Sequence, residues 1–331
     1  MKRQDSKASI VRLFTVFMVL ILFILPYCGA AFGEDFPTRE IELIIGYAPG
    51  GNTDLMARIV GDKVSKILKV PFVYINKPGG GAAIAINYVA NAKPDGYTIG
   101  TGGMSPMGTL LATSNKVPYK LTDLSGIARG VVFPLVVFSK KGRFENFESL
   151  VKEAKQKPDA ITFASFGVKS SSHLMGELLN QVFNIKMKHV PFDGESKEVP
   201  AVLGGHIDVG IAGPPVVVSN LKAGTITALA QSGRNRWPEL PNVPTFTDLN
   251  YKDATFESFD GFIISSKVPK DRLAIIQGAF EKALKDPEVQ QSLQKTGQTP
   301  GYLSGKDYDA FLANNLNMLI RTATKAGIQK D

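Results

Sequence analysis

Thiol and imidazole groups are scarce in this chain. Cys28 is the one cysteine in 331 residues, which excludes an intramolecular disulfide and any cluster of cysteine metal ligands. The three histidines are His173, His189 and His206. No two of them stand four apart, the spacing that puts paired imidazoles on one helical face, so no metal site is expected. The Gly-x-Ser-x-Gly turn of the hydrolases is missing. Ser172 and His173 are adjacent and would point apart at a helix start. A Ser/His couple would need a further partner such as Asp193, and nothing in the sequence places one there. Beyond residue 33 there is no block of five or six like charges, which argues against a nucleic-acid partner. Repeats and low-complexity stretches are absent too, and Gly 32 and Pro 20 fit a loop-rich globular chain.

What is present is a chain long enough for a sizeable core and, as a prior, two domains. Its first residues read as a leader. Lys2, Arg3, Lys7 and Arg12 precede an uncharged apolar run from Leu13 to Leu25, and Pro26, Tyr27 and the small residues Cys28-Gly29-Ala30-Ala31 follow. A basic start, a short apolar stretch and small residues make a secretory signal peptide. The run is about 13 residues, against the roughly 20 of a spanning helix. Ala31-Phe32-Gly33 sets cleavage after Gly33, making residues 1–33 the leader, with Ala30 as the alternative. Lipidation of Cys28 is disfavoured, because Tyr27 is bulky where a lipobox wants a small residue. Cleavage removes the only cysteine, which suits an oxidising compartment. It also removes four basic residues and one acidic residue, so the net charge of +8 falls to +5.

Strand and helix patterns alternate along the rest. Ile41–Ile45 reads as a strand, and residues 53–68 place Leu55, Met56, Ile59, Val60, Val64, Ile67 and Leu68 on one helical face. Strands follow at Phe72–Ile75 and Thr98–Gly100 with a helix near 82–92 between them. A second series starts near Val131. It has strands at Leu135–Phe138, Ile161–Ala164, Lys188–Pro191, Val209–Ala212 and Ala228–Ala230, and helices at 147–156, 172–182, 199–203 and behind Pro214. A strand over 259–265 and helices over 270–296, broken near Pro287, and 305–326 complete the chain. Such alternation predicts an α/β protein with mostly parallel, doubly wound sheets. Two series with a late return predict two lobes, residues 34–132 plus 256–331 and residues 133–255, joined by a two-strand hinge. Ligands then bind beyond the carboxyl ends of the strands.

Two strand-to-helix loops stand out there. Gly46-Tyr47-Ala48-Pro49-Gly50-Gly51-Asn52-Thr53-Asp54 nearly matches a nucleotide-binding loop, but Asn52 replaces the lysine that reaches the phosphates. Its glycines and the helix start still offer converging N–H donors to one carboxylate or phosphate. The second loop, Ser165-Phe166-Gly167-Val168-Lys169-Ser170-Ser171-Ser172-His173, brings hydroxyls, an ammonium and another helix start. Either loop alone reads equally well as a capped turn. Thr101-Gly102-Gly103-Met104-Ser105 and Pro191-Phe192-Asp193-Gly194 extend the rim, Phe192 as an apolar wall or a packing residue. Lys77-Pro78-Gly79-Gly80-Gly81 reads as structural, since Pro78 lacks a donor.

These loops, together with Phe36-Pro37-Thr38-Arg39, Pro94-Asp95-Gly96-Tyr97-Thr98, His189-Val190-Pro191-Phe192, Gly204-Gly205-His206-Ile207-Asp208 and Leu240-Pro241-Asn242-Val243-Pro244-Thr245, resemble the substrate-binding proteins of tripartite tricarboxylate transporters, also called the Bug family. The resemblance runs from about Phe36 to Ile328. It implies a periplasmic, two-lobed (Venus flytrap) binding fold of type II. Such a protein captures a small carboxylate, a di- or tricarboxylate or related organic acid, and delivers it to a membrane transporter as a monomer, without cofactor or catalysis. By the resemblance Gly50 to Asp54 and Ser165 to His173 hold the ligand carboxylate. With the rim, the expected binding residues are Tyr47, Gly50 to Asp54, Met104 and Ser105 in the first lobe, and Ser165, Phe166, Lys169 to His173, Phe192, Ala212 and Gly213 in the second.

The sequence departs from that family at three places. Asn52 stands where Gly is common, Val168-Lys169 where Asn-Gly is common, and Ala212 lies near a common Phe-Asp-Asn whose acid can pair a ligand ammonium. An anionic ligand without an amino group is therefore expected, with Lys169 as its charge partner. A sensor acting on a receptor kinase and a periplasmic enzyme acting on a carboxylate are the rival roles.

Overall fold

A computed structural model describes residues 36–251, 255–325 and 330. The expected leader over 1–33, with Cys28, lies outside the described residues. The strands are β1 Ile41–Ile45, β2 Phe72–Asn76, β3 Thr98–Gly103, β4 Leu124–Phe133, β5 Val136–Lys140 and β6 Thr162–Ser165. Then come β7 Lys188–Pro191, β8 Val209–Ala212, β9 Ile226–Gln231, β10 Ser258–Ser265 and β11 Thr299–Ser304. The helices are α1 Asn52–Leu68, α2 Ala83–Ala90, α3 Leu110–Thr113, α4 Phe147–Gln156, α5 Ser171–Val182 and α6 Glu195–Leu203. They continue as α7 Pro214–Lys222, α8 Lys270–Lys285, α9 Pro287–Lys295 and α10 Gly305–Lys325.

Two sheets organise these elements. The first has the order β11-β4-β10-β3-β1-β2, the second β7-β6-β8-β5-β9. β1 lies between β2 and β3 with Ile41, Leu43, Ile44 and Ile45 fully buried, which is why its sequence is an apolar run rather than an alternation. α1 covers that sheet with Met56, Ala57, Val60 and Val64, all fully buried. α4 begins at Asn146, whose side chain accepts from the Ser149 N–H at 2.8 Å, and buries Phe147, Leu150 and Ala154. Each sheet has its own apolar core. One includes Ile44, Ile86, Met107, Phe259 and Leu312, the other Val136, Phe138, Val202, Val217 and Trp237. Among the described residues no helix is long and apolar enough to cross a membrane.

The sheets are mixed rather than mostly parallel. β1 runs parallel to β2 and β3, and β6 to β7 and β8. β10 runs antiparallel to β3 and β4, β11 to β4, and β5 to β8 and β9. The chain leaves the first sheet after β4 and re-enters it at β10. A strand arriving from the opposite sheet enters at the end where the parallel strands point, so it must run against them. Three features were not expected. β4 begins seven residues before Val131. β11 contains Pro300 and forms an edge of its sheet, where a missing N–H is tolerated. A turn of π-helix spans Ser105–Thr109 before α3, a feature frequent at functional sites. The expected break near Pro287 falls at Asp286, whose side chain caps α9 through the Glu288 N–H at 2.9 Å.

Candidate functional site

The loop after β1 faces the loop after β6, and the two close on a cavity with about 20 Å³ of free space, room for a water or two. The first-sheet side supplies Tyr47, Gly51, Asn52, Thr53, Met104, Ser105, Phe133, Ser258 and Asp260; the other side supplies Phe166, Ser171 and Glu195.

Asn52, the first residue of α1, is the hub. Its N–H donates to Glu195 Oε2 at 2.9 Å and its side-chain Nδ2 to Asp260 Oδ2 at 2.9 Å. Gln298 Nε2 donates to its carbonyl at 2.8 Å and to its Oδ1 at 3.0 Å, which fixes the amide orientation. Thr53 Oγ1 donates to the same Asp260 oxygen at 2.8 Å. The other Glu195 oxygen accepts from the Gly213 N–H at 2.6 Å, just before α7. Burial pushes the Asp260 carboxyl up to about 7. It raises Glu195 as well, against the pull of its two N–H partners. Glu198, also on α6, is fully buried and raised well above the usual carboxylate range by burial and by Glu195.

The remaining residues of the first loop hold its shape. Gly50 has φ +85°, a left-handed conformation, and its N–H donates to Asp54 Oδ2 at 2.9 Å. Asp54 turns away from the cavity to a two-point pair with Arg58, both contacts at 2.9 Å, and accepts from Asn76 Nδ2 at 2.9 Å. Burial would raise its carboxyl, but the Arg58, Asn76 and Gly50 bonds outweigh that and hold it below the usual range.

In the second loop only Phe166 and Ser171 reach the cavity. The Ser171 N–H donates to Ser105 Oγ at 2.9 Å, and the two hydroxyls lie 3.1 Å apart. Ser170 caps α5 through the His173 N–H at 3.3 Å, and Ser172 Oγ accepts the Phe166 N–H at 3.1 Å. Ser165 Oγ lies 2.7 Å from His189 Nε2. His173 Nδ1 accepts the Lys169 N–H at 2.9 Å, so its proton sits on Nε2, facing Glu177. Its ring stacks on His189 at 3.7 Å. Burial and the neighbouring His173 push His189 down to about 4, so it is neutral near pH 7.

Lys169, expected to pair with the ligand, is placed elsewhere. It has φ +59°, and its Nζ donates to the Thr113 carbonyl at 3.4 Å. Ala212 is fully buried at the end of β8. The expectation that a small residue there leaves the site without an acid does not hold, because Glu195 and Asp260 enter from α6 and β10. Neither was singled out from the sequence, nor were Phe133 and Ser258. Phe192 lines a neighbouring opening of about 160 Å³ with Gly79, Gly80, Gly81 and Val168. Tyr47 and Phe166 line both spaces, meeting edge to face at 5.7 Å. Gly81 has φ +63°, and a Cβ on it would lie 2.8 Å from the Val168 carbonyl.

Three helix starts, those of α1, α5 and α6, thus line one small cavity with neutral and acidic side chains. The arrangement can hold a small polar solute.

A family model described as the tripartite tricarboxylate transporter family receptor matches residues 56–328. The protein BugT of Bordetella pertussis is 27% identical over 286 residues, 86% of this chain and 88% of that protein. A solved periplasmic transporter structure is 28% identical with a TM-score of 0.85, covering 89% of this chain and all of that one. An R. palustris protein solved with adipate is 24% identical with a TM-score of 0.85, covering 90% of this chain and all of that one.

Proposed function

Because this chain belongs to the tripartite tricarboxylate transporter receptor family, we propose that it captures a small carboxylate solute in the cavity between its two sheets and passes it to a membrane transporter of the tripartite tricarboxylate type. The observation that carries the reading is that the first residues of α1, α5 and α6 (Asn52, Ser171 and Glu195) line that cavity. A helix start carries N–H groups without intrahelical partners and a partial positive charge, and anions bind at such ends; here the Asn52 N–H meets the Glu195 carboxylate and the Ser171 N–H meets Ser105 Oγ. The R. palustris neighbour was solved with adipate, a small dicarboxylate. In this reading residues 1–33 direct export to the periplasm and are then removed, leaving lobes of 34–132 plus 256–331 and of 133–255.

Capture requires motion. Twenty cubic ångströms hold no dicarboxylate, so the lobes part to admit the solute and close over it. A solute shifts that equilibrium only by binding the closed form better than the open one. Charge-assisted bonds from backbone N–H groups to a carboxylate, roughly twice as strong as neutral ones, supply the difference.

Native mass spectrometry of the freshly purified mature protein, followed by a thermal-shift panel of organic acids, tests the reading. A co-purifying acid, or a melting point raised by an acid, is expected. No shift from any carboxylate refutes capture. Loss of uptake of that acid on deleting the gene, restored by the intact gene, tests the transport half.

A further inference from the structure

We propose that the captured solute carries a cationic ammonium group as well as its carboxylate, so that the ligand class is a short zwitterion rather than a simple di- or tricarboxylate. This rests on the carboxylate reading above and narrows it.

Among the described residues the cavity wall holds two carboxylates, Glu195 and Asp260, each 6% exposed, and no Lys, Arg or His. Both are bonded to one residue, Asn52, through its backbone N–H and its side-chain amide, so they share a small volume. A third acid, Glu198, is fully buried on the same helix as Glu195. One oxygen of Glu198 has no hydrogen-bond partner, and the other accepts the Ile211 N–H at 2.8 Å.

The hydrogen bonding around Glu195 favours its ionised form, against the burial that favours the neutral one. Each of its oxygens accepts a backbone N–H, from Asn52 and from Gly213, and backbone nitrogens cannot accept a carboxyl proton in return. Buried charge of one sign is expensive unless a counter-charge enters with it. Lys169 does not supply that charge, since its Nζ is turned to the Thr113 carbonyl.

The rest of the wall suits a cation. Tyr47, Phe133 and Phe166 present three aromatic rings and Met104 a thioether. Ring faces attract ammonium groups, methylated ones included, and repel carboxylates. Glu195 already occupies the backbone donors before α7 and at the start of α1. That leaves the Ser105 and Ser171 hydroxyls, 3.1 Å apart beside the start of α5, as the place for a ligand carboxylate, the Ser171 N–H already donating to Ser105 Oγ. A solute with its carboxylate there and its ammonium against Asp260 and Glu195 satisfies both ends of the cavity.

The experiment is isothermal titration of the mature protein at pH 7.5 with chain-matched probes: glutarate and adipate; glutamate, 2-aminoadipate, 4-aminobutyrate and its trimethylated analogue; and butylamine. At least one amino-bearing acid is expected to bind about thirtyfold or more tightly than its matched diacid, the scale on which buried charge pairs act. Asp260→Asn is expected to remove most of that preference while diacid binding holds or improves. Glu195→Gln is the second variant, and a cooperative melt shows that each variant folds. Diacids binding better than every amino-bearing acid overturns the ammonium and leaves carboxylate capture standing. Butylamine binding as tightly as the amino acids overturns the carboxylate end instead. No binding by any probe overturns both.

Discussion

The carboxylate of Glu195 spans two backbone N–H groups, that of Asn52 at 2.9 Å and that of Gly213 at 2.6 Å. Asn52 opens α1 on the first sheet, and Gly213 precedes α7 on the second. One side chain therefore ties the two halves of the cleft together. Replacing it by Ala leaves two buried N–H groups without an acceptor, each costing about 1–3 kcal/mol. The ligand-free Glu195→Ala protein is expected to be more open, with a larger radius of gyration in small-angle scattering than the parent. An unchanged radius rejects Glu195 as a clasp.

Asp260 titrates within reach of neutral pH. Burial lifts its carboxyl to about 7 from an ordinary value near 3.8. The folded state therefore holds a proton that the unfolded state has already released between those values. The sign follows: Asp260 contributes stability below about pH 4 and loses that contribution as pH rises through about 7. Asn removes the titration while keeping an oxygen for Thr53 and Asn52. The melting point of Asp260→Asn relative to the parent should therefore climb from pH 5 to pH 8. A flat difference shows that Asp260 does not titrate there. An ammonium ligand would also expel the proton, so binding enthalpies at pH 7 should vary with the ionisation enthalpy of the buffer.

Asp54 has the opposite sign. It accepts from the Gly50 N–H, Arg58 and Asn76, which hold its carboxyl below the usual range despite burial. Its contribution is present above the ordinary carboxylate pKa and is lost as pH falls below it. Asp54→Ala should cost about 2–3 kcal/mol, the scale of buried bonds to a charged group, read from urea unfolding at pH 7. The loop that carries Asn52 would loosen with it, so affinity should fall as well. Unfolding at the parental urea concentration would rule out the anchoring role.

Gly81 and Val168 test the closed contact from the other side. With Ala at 81, a left-handed residue acquires a Cβ 2.8 Å from the Val168 carbonyl, and the strain is largest when the loops meet. Solute affinity is expected to drop about tenfold, equivalent to 1.4 kcal/mol, with the fold retained by circular dichroism. Unaltered affinity would mean that the two loops do not meet in the bound state.

Much of the architecture was legible because it follows from local rules. The buried run Ile41–Ile45, the helical stripe from Met56 to Val64 and the glycines after β1 locate the first loop without tertiary knowledge. The serine cluster likewise locates α5 to within a residue. The pairing directions were not legible, because β5 and β10 enter their sheets from the opposite half of the chain. Within the site, Asn52, Thr53, Ser105 and Ser171 sit on loops that the strand-to-helix pattern picks out. Glu195 and Glu198 look like ordinary acids in the first turn of a helix, where solvent and the helix dipole usually explain them. Asp260 did leave a trace, as a lone acid between Phe259 and Phe262 in a strand buried from end to end. A buried, unexplained acid is the cue that would have found it. Lys169 misled because nearness in sequence says nothing of direction: its left-handed backbone turns the side chain toward Thr113.

Tyr47 and Phe166 meet edge to face at 5.7 Å and form a wall common to the inner cavity and the outer opening. A solute in the inner cavity leaves only when these two rings separate, so they set its residence time as well as forming part of the wall that holds it. A smaller residue at either ring would speed release, while the donors and acids deeper in the cavity stay in place.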